Sequence, residues 1–94
     1  MLANQKIEVK LDKMAKKTGN IYVEYESRGK PSGISRSEAD HYCYVVGNLK
    51  LFIPTERLKE LVEPLKGTKD DKRGGDKNTS KGVLLKLTDL LTAI

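Results

Sequence analysis

Residues 6–12, KIEVKLD, alternate strictly, with Ile7, Val9 and Leu11 on one side and Glu8, Lys10 and Asp12 on the other. That is the period of a half-buried strand. A polar connection follows, ending in the turn signal Gly19-Asn20. Residues 21–26, IYVEYE, alternate again: Ile21, Val23 and Tyr25 share one face, Tyr22, Glu24 and Glu26 the other. Two such runs joined by a short connection predict a hairpin.

The stretch from Ser27 to Gly33 is rich in turn formers, and Ser35 with Glu38 has the spacing of a capping box, which predicts a short helix. HYCYVV (41–46) is β-prone, Gly47-Asn48 is a two-residue turn, and Leu49 to Ile53 returns as the second strand of another hairpin. Thr55 is placed to cap a helix whose Leu58, Leu61, Val62 and Leu65 fall on one face. Residues 66–82 are polar and glycine-rich and predict a mobile basic loop. Val83 to Leu87 predicts a strand, followed by a last short helix capped by Thr88. The pattern describes one α+β domain, 1–94, with a mostly antiparallel sheet of two hairpins and flanking helices.

At 94 residues the chain has room for one core only. Small size favours association with a second copy. The net charge of +5 is compatible with a polyanionic partner but equally with none. One cysteine, Cys43, excludes an internal disulfide, and one Cys with one His excludes a zinc site built from those types. A reducing, cytoplasmic setting is the expectation. The N-terminal residues lack an apolar targeting region, and no run approaches the roughly 20 apolar residues of a membrane span.

Candidate chemistry lies on the polar face of the first hairpin. Glu8 and Lys10 are neighbours about 7 Å apart along the strand. A symmetric hairpin places Glu8 opposite Glu24 and Lys10 opposite Tyr22. Two carboxylates and an ammonium are the groups that metal-assisted phosphodiester hydrolysis needs. Mg²⁺ (or Mn²⁺) takes one or two carboxylates plus water and phosphate oxygens, and polarises both. A lysine orients the attacking water or neutralises the transition state. Alternating Glu and Lys is also ordinary solvated strand surface, and the tripeptide alone does not separate the two.

The longer string IEVKLDKMAKKTGNIYVEYESRGKPSGISRSEADHYCYVV, continued by LKLFIPTERLKELV and GGDKNTSKGVLLKLTDLL, resembles phage and bacterial members of the PD-(D/E)XK nuclease superfamily, the restriction-endonuclease-like and Holliday-junction-resolvase-like enzymes. The resemblance runs over nearly the whole chain from residue 6. It implies a small restriction-endonuclease-like core and a Mg-dependent endodeoxyribonuclease. Glu8-Val9-Lys10 would be its (D/E)-x-K half-motif, with Glu8 a metal ligand and Lys10 the catalytic lysine. The family places another acid on an upstream strand, after a helix. Here seven residues precede Glu8, none of them acidic, so the usual first helix and strand are missing. Three expectations follow: a complementing nuclease chain completes the site, Glu24 or Glu26 replaces the missing ligand, or the chain is a remnant that binds DNA without cutting.

Arg28, Lys30 and Ser32, in the turn-rich segment after the acidic strand, are candidate phosphate contacts. So are Lys72, Arg73 and Lys77 of the 66–82 segment, which also carries Lys69 and Lys81. Asp12 reads as a turn-capping strand end and secondarily as a third ligand. His41 and Cys43, two apart on one strand, read as packing residues rather than a dyad, and Tyr42 and Tyr44 as core rather than base-stacking platforms.

Overall fold

A computed structural model describes residues 4–74 and 79–94. Among the described residues seven strands form two sheets: a three-stranded one in the order β1-β4-β5 and a four-stranded one in the order β3-β2-β7-β6. The elements are β1 (Ile7–Leu11), α1 (Ala15–Thr18), β2 (Asn20–Ser27), β3 (Lys30–Pro31), β4 (His41–Val46), β5 (Leu49–Pro54), α2 (Thr55–Val62), β6 (Asp71–Gly74), β7 (Ser80–Lys86) and α3 (Leu87–Ala93). Single 3₁₀ turns occupy Gly33–Ser35 and Glu63–Leu65. The α+β class is as the pattern predicts, and all strand pairs but one are antiparallel.

The exception overturns the first predicted hairpin. β1 and β2 do not pair. β1 runs parallel to β4, with Glu8 beside Tyr42 and Lys10 beside Tyr44. β2 runs antiparallel to β7, with Ile21 beside Leu85 and Val23 beside Val83. The cause lies between the two strands. Asp12 Oδ1 accepts the amides of Met14 (3.1 Å) and Ala15 (3.0 Å), which starts α1 directly after β1. Ala15 is fully buried, and Gly19 stops the turn at φ 77°, its amide donating to Ala15 O at 2.8 Å. Asp12 Oδ2 takes the Tyr22 amide at 3.1 Å. Asp12 is therefore a structural joint between the sheets. β2 then finds its apolar match in β7.

The core lies between the sheets and two helices. Tyr42, Tyr44, Val46, Leu51 and Ile53 come from the first sheet, and Ile21, Val23, Val83 and Leu85 from the second. Leu58 and Val62 of α2 and Leu90 of α3 close it, with Leu61 and Leu65 partly buried against it as their spacing predicts. The hairpin β4–β5 forms around Gly47 (φ 60°), as expected. Capping does not follow the sequence signals. Thr55 is the first residue of α2 and makes no cap bond; its hydroxyl is buried without a partner. α3 starts at Leu87, after an uncapped Lys86, so Thr88 lies inside it. Ser35 and Glu38 form no helix, because the chain there is a 3₁₀ turn folded onto β2.

The 66–82 segment is not a loop throughout. It holds β6, paired with β7 from Asp71 beside Val83 to Gly74 beside Ser80. Asp71 pins it: Oδ2 accepts the Tyr25 hydroxyl (2.6 Å) and the Gly67 amide (2.7 Å). Lys66 Nζ lies 4.7 Å from the centre of the Tyr25 ring. Lys77 lies outside the described residues. Among the described residues no helix is long and apolar enough to cross a membrane.

Candidate active site

Lys10 and Glu24 reach one cavity from different sheets. It holds about 200 Å³ and is lined by Lys10, Tyr22, Val23, Glu24, Gly33, Ile34, Tyr42 and Tyr44. Lys10 arrives because β1 runs beside β4 in register, putting Lys10 on the same side as Tyr44. Glu24 lies two residues after Tyr22 on the same face of β2, and Tyr22 lines the same cavity.

Glu24 is held from behind. Ser32 Oγ donates to Glu24 Oε2 at 2.8 Å, and the Ser32 amide donates to Tyr25 O at 3.0 Å. Gly33 follows at φ 52°, where a Cβ would run into the backbone carbonyl of Glu24. Only glycine lets the Ser32–Ile34 segment lie this close to the strand. Gly82, beside Glu24 in the β2–β7 register, is similarly constrained: a Cβ there would meet the Tyr22 ring. The Tyr22 hydroxyl lies 3.1 Å from Ser80 Oγ.

The cavity floor is formed by buried phenols. Tyr42 and Tyr44 stack with ring centroids 6.0 Å apart. Burial pushes the Tyr42 phenol up, opposed by a hydrogen bond with Ser37 and assisted by the Glu8 charge. Burial pushes Tyr44 further up, and Tyr42, Asp12 and Glu8 add to it. Both are neutral at physiological pH, so they shape the cavity and supply no base.

Glu8 does not stand opposite Glu24. It lies beside Tyr42, whereas Glu24 lies beside Gly82. Glu8 instead lines a more open depression with Lys6, Ile7, Ser37, Glu38 and Ala39, flanking the first. Its charge reaches both phenols of the cavity floor. Among the described residues no group of three or more His, Cys, Asp or Glu converges as a metal cage. Magnesium needs only one or two carboxylates beside its waters. Glu24 lines the cavity, and Glu8 lines the separate depression.

The basic candidates scatter. Arg28 (φ 53°) and Gly29 (φ 78°) are the two left-handed residues of a tight turn joining β2 to β3, so Arg28 and Lys30 sit on an exposed hairpin tip. Lys72 and Arg73 are exposed on β6, where consecutive side chains point to opposite faces. Lys81 is engaged by Glu26 at 3.6 Å. Both oxygens of Asp12 accept backbone amides, which is the turn-capping role its position at the strand end suggests. His41 and Cys43 lie on the side of the first sheet away from the cavity.

Gly33, Tyr22, Tyr42 and Tyr44 belong to the site without having been singled out for it. The one advance signal was a glycine directly after Ser32, in a segment already rich in turn formers. No protein-family profile, curated protein or solved structure matches the chain.

Proposed function

We propose that this chain is the core of a magnesium- or manganese-dependent DNA endonuclease of the PD-(D/E)XK type. The observation that carries the reading is the convergence of Lys10 and Glu24 on one cavity from two sheets. The two positions are fourteen residues apart and separated by a helical turn, so neighbouring strand pairing does not account for it.

The roles follow from the chain's own groups. Glu24 and Glu8 are the carboxylates that would hold the metal, which when bound polarises the phosphate and its attacking water. The Ser32 hydroxyl holds one oxygen of Glu24 at 2.8 Å, which leaves the other oxygen for the cavity. Lys10 supplies a positive charge where a scissile phosphate would gather negative charge. Buried Tyr42 and Tyr44 form the backing of the cavity, and Lys10 itself stands exposed at its rim. Arg28, Lys30, Lys72 and Arg73 are exposed cations suited to the DNA backbone on either side.

A second reading, a chain that binds DNA without cutting or that completes another nuclease chain, rests on Glu8 and Glu24 lining separate depressions. Cleavage of duplex and branched DNA in Mg²⁺ or Mn²⁺ separates the readings. The nuclease reading expects wild type to cut, and Lys10→Ala and Glu24→Gln to lose roughly a hundredfold or more of the rate. Equal cutting by Lys10→Ala sinks the assigned site. Salt-sensitive DNA affinity without any cutting, unmoved by Glu24→Gln, supports the binding reading.

A further inference from the structure

β1 is an edge strand with two unequal sides. Among the described residues it pairs only with β4. Its even-numbered residues bond to β4: Lys6 O accepts from Asp40 N at 2.8 Å, and Asp12 N donates to Val45 O at 3.4 Å. In a parallel ladder the alternate residues point their N–H and C=O groups the other way. The polar backbone groups of Ile7, Val9 and Leu11 therefore face an open edge. Their side chains are open too, at 49%, 61% and 65% exposure, and Phe52 on the same side of the sheet is 46% exposed. A flat apolar edge of this kind is what folded proteins cover.

The sequence of the edge names its complement. KIEVKLD laid antiparallel to itself about Val9 puts Ile7 against Leu11, Val9 against Val9, Glu8 against Lys10 and Lys6 against Asp12. Every charged position meets its opposite and every apolar position meets an apolar one. Moving the centre to Glu8 or to Lys10 sets like charges against each other. The outward-facing residues are also the ones the Val9-centred register requires, since Ile7, Val9 and Leu11 would all form hydrogen-bonded pairs.

We infer that two copies of this chain associate through β1, antiparallel about Val9, joining their three-stranded sheets into one of six strands. The symmetry is an isologous two-fold, in which the same patch serves both copies. It brings Glu8 of the partner subunit directly across from Lys10, on the side of the sheet that bears the cavity. A carboxylate of the second copy is thereby placed beside Lys10. The interface does not depend on the nuclease reading, because mass in solution is measured without nucleic acid.

Sedimentation equilibrium over about a hundredfold range of concentration, reaching a few hundred micromolar, reads the association directly. Wild type is expected to show a monomer–dimer equilibrium. Glu8→Lys and Lys10→Glu each convert two opposite-charge pairs into like-charge pairs, and each is expected to weaken the dimer roughly 30-fold or more. The two single variants, mixed, regain opposite charges at every position and are expected to associate with each other, which also shows that both are folded. The double variant Glu8→Lys/Lys10→Glu is expected to dimerise like wild type. A monomeric wild type at the highest concentration overturns the inference. So does undiminished dimerisation of both single variants, or failure of the mixture to associate.

Discussion

The contact between Tyr25 and Asp71 ties β2 to β6 across β7, and removing the Tyr25 hydroxyl should loosen that end of the second sheet. The bond is short, 2.6 Å, and its acceptor also takes the Gly67 amide at 2.7 Å. A hydrogen bond to a charged group contributes about 1.5–3 kcal/mol when shielded. Tyr25 and Asp71 are partly exposed, which leaves roughly 1–2 kcal/mol for Tyr25→Phe. For a domain of this size that is a fall in Tm of about 5–10 °C. Thermal melts of wild type, Tyr25→Phe, Asp71→Asn and the double variant should give a coupling of about 1 kcal/mol between the two sites. The pH dependence supplies a second check. Burial works against ionising Asp71, but the Tyr25 and Gly67 hydrogen bonds with Lys81 and Lys66 hold its carboxyl below the usual 3.8. Its contribution is therefore present above the unfolded value and lost as pH falls through the lower folded one. Tyr25 moves the other way: burial and Asp71 push the phenol up to about 12 from 10.0. The unfolded chain ionises first, so this contribution is whole below pH 10 and lost as pH rises towards 12. The stability difference between wild type and Tyr25→Phe should thus shrink at both extremes. A coupling indistinguishable from zero, or a difference that stays constant between pH 10 and 12, would refute the reasoning.

Gly33→Ala forces a Cβ into the left-handed region and onto the Glu24 carbonyl, and should cost about 2–4 kcal/mol in urea unfolding. Where the nuclease reading holds, its residual activity per folded molecule should fall as well, because Ser32 and Glu24 are displaced together. Thr55→Val should stabilise the chain by about 1 kcal/mol in the same assay, since it replaces a buried hydroxyl that has no partner with a methyl of similar shape. Gly82→Ala, which drives a Cβ into the Tyr22 ring, should destabilise by about 1–3 kcal/mol and quench or shift tyrosine fluorescence.

Elements whose partners are near in the chain were legible in the sequence. HYCYVV, Gly47-Asn48 and LKLFI pair as their alternation and turn require, and Leu58, Leu61, Val62 and Leu65 turn one face to the core. β1 and β2 misled because alternation reports that a strand exists and nothing about its partner. Ile7, Val9 and Leu11 looked like a core face and are the most open apolar row of the first sheet. Asp12 was the hidden determinant, since the same carboxylate starts α1 and takes the Tyr22 amide. In the 66–82 segment, glycines and charges concealed a strand that pairs with β7 and is tied to a distant tyrosine. Of the candidate residues, Lys10 and Glu24 line one cavity, although by a route other than the predicted hairpin, and Glu8 lines another depression. Gly33 could be recognised only after the fold showed what lies against it.

The placement of β7 has a bearing on how the chain is made. It is the last strand, yet it supplies Val83 and Leu85 to the centre of the second sheet and has β2 on one side and β6 on the other. Until those residues leave the ribosome, β2 has no long partner and Ile21 and Val23 remain uncovered. Closure then joins segments as far apart in sequence as Ile21 and Leu85, the kind of distant pairing that slows folding into the millisecond-to-second range. A nascent or C-terminally shortened chain therefore passes through a stage with an apolar strand and an unpaired edge both exposed, when chaperone capture and aggregation compete with folding.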